Sequence, residues 1–338
     1  MLCYNLFMKI LSLFDGMSVA QQALKDAGIP VEVYYASEID EYAVAVTQSN
    51  FPKTIQLGSV LTVGKFTQPI DFSKSKYLPD IDLLVGGSPC QDLSIAKKDR
   101  EGLKGQRSGL FYEYVRIRDE VKPKFFILEN VASMPKKAKE QISEILGVEP
   151  VMINASLVSA QNRKRLFWVG KWNPTIRKYR TVKIPQPEDR RILLKDILEE
   201  NVDKKYYMNT TQLDKINQSN YIDKKPILIF KEKMGTLKLD GDVKRVVYNE
   251  WNNRIMKYKC GTLGTNAGRT AKQGYQVVDG DVVRHLTPTE YLRLQSMPDD
   301  YFEKAIYKNK PISNTQRYKM CGNAFNKNVI AHILKNML

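Results

Sequence analysis

Residues 9–18 read KILSLFDGMS, a short apolar run followed by Phe14-Asp15-Gly16 and then Met17-Ser18. That pattern predicts a buried strand over Lys9–Leu13 that empties into a tight loop. Working outward, Val19–Ala27 suits a helix stopped by Gly28 and Pro30, and Val33–Ser37 suits a second strand ending at Glu38. Tyr42–Ser49 suits a second helix. Ile81–Val85 reads as a buried strand, followed by a Gly86-Gly87 turn and Ser88-Pro89-Cys90. Leu110, Phe111, Tyr114, Val115 and Val121 fall near helical spacing, and Phe125–Leu128 is another strand, ending at Glu129-Asn130. Strands alternating with helices predict an α/β fold built on a doubly wound, mostly parallel sheet.

The chain is long enough, at 338 residues, to bury a core without staples. Its 53 Lys and Arg against 37 Asp and Glu give a net charge of +16. Such a charge suits a polyanionic partner such as nucleic acid, or reflects general basicity with no specific partner. Cys3, Cys90, Cys260 and Cys321 are far apart and form no CxxC pair, so neither a metal cluster nor a disulfide framework is expected. With only His285 and His332, chemistry that needs several histidines is nearly excluded. No apolar run is long enough to span a membrane, and the start lacks the basic region and cleavage site of a signal peptide. Met8 reads as the natural start, and the chain reads as cytoplasmic.

Past Trp172 the alternation fades. Residues 171–283 hold 23 Lys and Arg against 14 Asp and Glu, while the rest of the chain holds 30 against 23. Tyr206, Tyr207, Tyr221, Tyr248, Trp251, Tyr258 and Tyr275 are interleaved with these charges. The mixture suits phosphate contact and base reading, or equally a β-rich insert with a solvated face. A regular pattern returns at Arg284, where Thr287-Pro288-Thr289-Glu290 carries the cap, first-turn proline and acid of a helix start. Asn326–Leu338 suits a final helix.

In open α/β sheets, ligands sit beyond the carboxyl ends of the strands. Asp15, Gly16, Met17 and Ser18 fall there after the first strand. Gly16 lets the backbone approach a ligand closely. Glu38 ends the second strand 22 residues after Gly16, where an acid can take the two hydroxyls of a ribose. The loop is not GxGxxG, so the expectation is a nucleoside cofactor without a diphosphate, set against a plain surface acid beside Ile39-Asp40.

A free cysteine is usually a small hydrophobe, and Cys3, Cys260 and Cys321 read that way. Cys90 stands apart because it follows a strand at the ligand edge, with Pro89 stiffening its approach. A thiol of pKa about 8.5 is only a few per cent thiolate near neutrality, yet strongly nucleophilic. Glu129 ends the neighbouring strand, close enough for proton exchange with a substrate. In Gln161-Asn162-Arg163-Lys164-Arg165, which leads into the apolar strand Leu166–Val169, Arg163 and Arg165 share one face. Two guanidiniums there suit a phosphate or a polarised carbonyl.

Taken together, these pieces resemble the DNA (cytosine-5)-methyltransferases. The matching motifs, in that family's order, are LFDGMS (13–18), SEID (37–40), GGSPCQDLSI (86–95), SGLFYEYVRI (108–117), ENV (129–131), QNRKR (161–165), RHLTPTEYLRLQSMPDD (284–300) and GNAFNKNV (322–329). The stretches GGSPCQDLSI and EPVMINASLVSAQNRKRLFWVG look like the branch of the animal de novo enzymes. Without chromatin-reading modules, a bacterial or phage member fits better.

The resemblance implies a Rossmann-like, S-adenosylmethionine-dependent methyltransferase domain over 8–175 and 310–338. It implies a smaller target-recognition domain over 176–309, its variable part about 176–283. Phe14, Asp15, Gly16, Met17, Ser18, Glu38, Ile39, Ser59, Pro89, Asn323 and Ala324 would line the cofactor site. Cys90, Glu129, Arg163 and Arg165 would form the catalytic group, with the loop from Gln91 to about Gly109 closing over a flipped base. Duplex DNA is the implied partner, with no membrane and no metal, for a monomeric enzyme. The resemblance leaves room for a cognate restriction endonuclease. Two positions depart from the pattern: Ser18 stands where many members have a second glycine, and Ser59 where members often have an aspartate that contacts adenine. A tRNA cytosine methyltransferase of the same fold, and a catalytically dead regulatory relative, are the alternatives.

Overall fold

A computed structural model describes residues 7–64, 80–89, 109–208, 245–249, 254–256, 258–263, 275–279 and 282–338. Cys3, Cys90 and the span 91–108 lie outside the described residues. The elements that build the central sheet are β1 (Met8–Leu13), α1 (Val19–Asp26), β2 (Val31–Ser37), α2 (Glu41–Asn50), β3 (Ile55–Gln56), β4 (Leu83–Gly87), α3 (Leu110–Val121), β5 (Phe125–Val131), α4 (Lys136–Leu146), β6 (Pro150–Asn154), β7 (Lys164–Asn173) and β8 (Lys178–Thr181). Their order is β3-β2-β1-β4-β5-β7-β6, with β8 paired to β7. The pairs from β3 through β5 are parallel, and β7 runs antiparallel to β5, β6 and β8. The chain leaves β1 for β2 on one side and later takes β4 on the other. This places the ligand crevice of an open sheet at the ends of β1 and β4.

Each face of the sheet is covered because its strands are apolar on both sides. On one face Phe111, Tyr114 and Ile117 of α3 and Ile142 and Leu146 of α4 pack on Leu11, Leu84, Phe126, Leu128 and Trp168. On the other, Ala20, Ala23 and Leu24 of α1 meet Ile10, Leu83, Ile127, Phe167 and Val169. They are joined there by the C-terminal helix, whose Ile330, Ile333 and Leu334 complete that layer. The sequence expectation placed β4 two residues early and read Gly86-Gly87 as a turn. Both glycines are instead strand residues, chosen for tight packing. A methyl group on Gly86 would lie 3.0 Å from the Leu13 carbonyl and 3.1 Å from the Tyr114 ring. One on Gly87 would lie 2.8 Å from the Phe325 ring. Similarly, β5 runs on through Glu129 and Asn130 to Val131.

Residues 245–285 contribute a separate antiparallel sheet of β9 (Arg245–Asn249), β10 (Arg254–Met256), β11 (Tyr275–Asp279) and β12 (Val282–His285), ordered β10-β9-β11-β12. After it come α5 (Pro288–Leu294), the short hairpin β13 (Ile306–Tyr307) and β14 (Lys310–Pro311), α6 (Asn314–Asn323) and α7 (Lys327–Met337). Helix α5 starts as its sequence predicts: the Thr287 hydroxyl accepts from the Glu290 amide at 3.1 Å, and the Glu290 carboxylate accepts from the Thr287 amide at 2.8 Å. A third core joins the two sheets. Val19, Ala43 and Val46 of α1 and α2 pack with Leu194, Cys260, Leu263, Val277, Leu286, Tyr291, Leu292, Tyr301 and Tyr318. Among the described residues no helix is long and apolar enough to cross a membrane.

Candidate active site

The loop after β1 is shaped by three left-handed residues, Phe14, Gly16 and Ser18, with φ of 56°, 59° and 56°. Only glycine takes that conformation without cost, so Ser18 carries strain of roughly 1 kcal/mol or more. Its hydroxyl offsets this by donating to Asp15 Oδ2. Asp15 Oδ1 also accepts from the Tyr34 hydroxyl at 2.7 Å. The carboxyl is 6% exposed, and burial pushes its pKa up to about 6 against the pull of its hydrogen bonds. The side chain of Met17 turns into the third core, while its carbonyl accepts from Tyr301 Oη at 2.7 Å. Asp15, Met17 and Ser18 therefore offer a ligand their backbone, and Gly16 has open space beside its α-carbon.

Register sets Leu13 beside Ser37 and Gly86, so Glu38 lies next to this loop. Glu38 Oε2 accepts from the Gly16 amide at 2.8 Å, and Oε1 from the Ile39 and Asp40 amides at 2.7 and 2.8 Å. Three of the roughly four lone-pair sites of a carboxylate are thus used, and the acid locks two loops together. Ile39 is 75% exposed, an apolar platform at the strand edge. Beyond it Gly58 has φ of 70° with open space beside it. Its carbonyl accepts from the Ser37 hydroxyl at 2.8 Å. Ser59 Oγ accepts from the Leu61 amide at 3.3 Å and its carbonyl from Thr62, so the serine organises its own turn.

At the end of β4, Ser88 is held by Asn130, whose amide donates to Ser88 O at 3.4 Å and Oγ at 3.2 Å. Pro89 follows as the last described residue before Cys90. Register puts Gly87 beside Glu129, and Val131 beside Arg165. Diagonal neighbours across antiparallel strands can meet with long side chains, and Arg165 Nε lies 2.7 Å from Glu129 Oε1. The two side chains are 14% and 12% exposed, enough shelter for a strong interaction but open on one side. Arg163 does something else. Its guanidinium is buried and donates to the carbonyls of Gly322, at 3.3 Å, and Ala324, at 2.8 Å. It pins the end of α6, where Asn323 is exposed and Ala324 buried, against the strand that carries Arg165. Among the described residues no group of three or more His, Cys, Asp or Glu gathers as a metal site.

A nucleoside-shaped edge thus adjoins a Glu–Arg pair one strand from the approach to a cysteine. The family model that describes C-5 cytosine-specific DNA methylases matches residues 8–338. The chain belongs to that family. It is a DNA (cytosine-5)-methyltransferase. It is 26% identical to the orphan methyltransferase M.SPRI of Bacillus phage SPR, covering 98% of this chain and 97% of that one. It is 29% identical to the type II methyltransferase M.NgoPII of Neisseria gonorrhoeae, covering 96% and 94%. Among solved structures, the methyltransferase EhMeth of Entamoeba histolytica superposes with a TM-score of 0.66 at 15% identity, covering 98% of each chain.

Sequence reasoning missed two residues of this methyltransferase's site. Asn130 was visible inside ENV, but its hold on Ser88 is a tertiary contact that no spacing reveals. Arg116 of α3 donates to the carbonyls of Val60 and Val63 at 3.2 and 2.8 Å and is itself gripped by Glu113 and Glu120. It braces the Ser59 turn from a helix some fifty residues away in sequence, and nothing local marks it.

Proposed function

We propose that the enzyme methylates carbon 5 of a cytosine flipped out of a specific duplex DNA site, using S-adenosylmethionine and a covalent bond between Cys90 and carbon 6. The observation that carries this reading is the Glu129–Arg165 ion pair beside the strand end that leads, through Ser88-Pro89, to Cys90.

The residues present fit the cofactor. Gly16 and Gly58 leave open space where a side chain would intrude, Glu38 keeps a lone pair for a ribose hydroxyl, and exposed Ile39 offers a face to an adenine. Phe14, the backbone of 15–18, Ser59, Pro89, Asn323 and Ala324 complete the set we assign to it. When bound, S-adenosylmethionine supplies the electrophilic methyl group that carbon 5 accepts.

Flipping the base costs roughly a few kcal/mol of stacking and pairing. The Cys90 thiolate adds to carbon 6. Glu129, in its protonated form, donates to N3 on the Watson–Crick edge and so neutralises the negative charge that addition at carbon 6 develops there. Arg165, oriented by its bond to Glu129, holds the base carbonyl or the flanking phosphate. Arg163 is a positioning residue in this scheme, since its donors already serve Gly322 and Ala324. After the transfer, loss of the carbon 5 proton and departure of Cys90 restore the aromatic ring. We assign catalysis to residues 8–175 and 310–338 and target recognition to 176–309, whose basic block would meet the phosphates. We take the enzyme to act as a monomer in the cytoplasm, in a scheme that leaves room for a cognate restriction endonuclease but does not require one.

The test is transfer of labelled methyl to duplex DNA by the wild type and by Cys90→Ser. The variant should lose turnover while DNA and cofactor binding persist. Full activity in the variant, or transfer to tRNA in place of DNA, overturns the reading. Sequencing bisulfite-converted DNA from expressing cells then gives the methylated position and its site.

A further inference from the structure

The connection between β6 and β7, residues 155–163, delivers Arg163 and Arg165 to the site, so whatever fixes it also aims them. Part of the fixing is local. Asn154 Oδ1 accepts from the amides of Ser156 and Arg163, at 3.2 and 3.0 Å, and the Ala155 amide donates to the Arg163 carbonyl at 3.1 Å. Further bonds come from residues 258–263 in the other half of the molecule. Lys259, three residues past the end of β10, turns its ammonium onto the connection. It donates to the carbonyls of Ser156, at 2.6 Å, and Ser159, at 3.2 Å. Cys260 is fully buried and pairs in parallel with Gln161. Its amide donates to the Ala160 carbonyl at 2.7 Å, and its carbonyl accepts from the Asn162 amide at 2.6 Å. The Thr262 hydroxyl donates to the Asn162 carbonyl at 3.0 Å, three residues before Arg165.

These bonds differ in kind from the apolar core that also joins the two halves. Apolar packing is non-directional, whereas hydrogen bonds fix distance and angle. They also fall where the sheet gives least support. Arg165 is the last residue of β7 that pairs with β5, opposite Val131, and beyond it only β6 holds Lys164. The end of a ladder is the part that opens first. Yet the Arg165 Nε must stay 2.7 Å from Glu129 Oε1 at that end. Resting on the function read above, we propose that Lys259 is a positioning residue: it staples the β6–β7 connection and so holds Arg165 in its catalytic orientation. A lysine in a DNA-recognising segment would ordinarily reach outward for phosphate. This one is half-buried and has its donors on carbonyls of the catalytic half. The recognition half is thereby part of the catalytic geometry as well as a docking platform.

The test is methyl transfer by the full chain as wild type, Lys259→Met and Lys259→Arg, on a duplex carrying the site that bisulfite sequencing gives. Binding of the same duplex is measured in parallel at several salt concentrations. Methionine keeps the stem and removes the donors, so kcat per DNA-binding molecule should fall on the order of 10–100-fold. KM for DNA, the binding affinity and its salt dependence should stay at their wild-type values, because the ammonium faces carbonyls. Arginine can again donate to both carbonyls and should recover most of the lost turnover. A methionine variant with wild-type kcat overturns the proposal. So does a salt slope lowered by about 0.9, the mark of a phosphate contact. So does an equal fall in turnover and in the fraction of molecules that bind DNA, the mark of a merely structural role. A wild type that transfers no methyl to duplex DNA removes the function reading and this proposal together. An active wild type matched by the methionine variant removes only the role of Lys259.

Discussion

Two buried acidic sites in this molecule have opposite surroundings. Under the junction of the two sheets, Glu290 is fully buried and its carboxylate takes two bonds from Arg284, at 2.7 and 2.9 Å. The amides of Glu199 and Thr287 supply two more, at 2.9 and 2.8 Å. Every lone pair and the charge itself are matched by the protein. At the β1 edge that matching is absent: Asp15 and Glu38 have donors, but among the described residues no Lys, Arg or His bonds to either carboxylate. A matched buried acid holds the chain together, and one with no cation bonded to it among the described residues does not. The contrast separates scaffold from site without any appeal to motifs.

The largest effect should come from breaking the matched pair. Glu290→Ala leaves Arg284 charged and 2% exposed with its carboxylate gone. Removing one partner of a buried pair costs about 3–5 kcal/mol. Thermal unfolding should fall by on the order of 10 °C. Loss of the cap at Thr287 adds to the same sign. A change of under about 2 °C would show that the burial at this junction is not what holds the second sheet to α5.

That pair also marks where sequence reading reached and where it stopped. The alternation of strands and helices, the Gly16 loop, the acid at Glu38 and the cap at Thr287 are local patterns, and they were legible because local geometry dictates them. Gly86 and Gly87 were misread because turn and strand glycines look alike until the Tyr114 and Phe325 rings press on them. Arg284 and Glu290 were legible as motif letters but not as partners. Arg163 was read as a catalytic donor, yet its guanidinium goes to carbonyls about 160 residues onward, a contact that only the folded chain creates. Ser18 stood out as a departure from glycine. Its compensation, the bond to Asp15, became visible only in three dimensions.

The next effect has the opposite sign. Asp15 has a folded pKa of about 6 against an ordinary value of 3.8, so the folded state binds the proton more tightly than the unfolded one. Stability from this group is therefore full below about pH 4 and is lost as pH rises toward 6 and above. The shift corresponds to a loss of up to about 3 kcal/mol at neutral pH. Asp15→Asn removes the ionisation, so at pH 7.5 it should unfold at a higher temperature than wild type. The gain should shrink to nothing near pH 4. Denaturant titrations of both proteins across that range measure the difference directly. A variant less stable than wild type at pH 7.5 would mean that the carboxylate is matched after all, and the contrast with Glu290 would dissolve.

The smallest effect tests whether a cation alone makes an acid structural. Asp40 lies two residues past Glu38, caps α2 by accepting from the Tyr42 amide at 3.1 Å, and meets Lys319 of α6 at 2.6 Å. Here the acid has its counter-charge, but the two side chains are 22% and 39% exposed. Water and salt screen such a pair, and holding a long lysine in place costs side-chain entropy. Lys319→Met should accordingly cost less than about 1 kcal/mol in denaturant titrations, and that cost should vanish in high salt. If it approached the cost of Glu290→Ala, then burial would not be what distinguishes the two classes of acid. The pairing itself would be, and Asp15 and Glu38 would owe their character only to the lack of a bonded cation among the described residues.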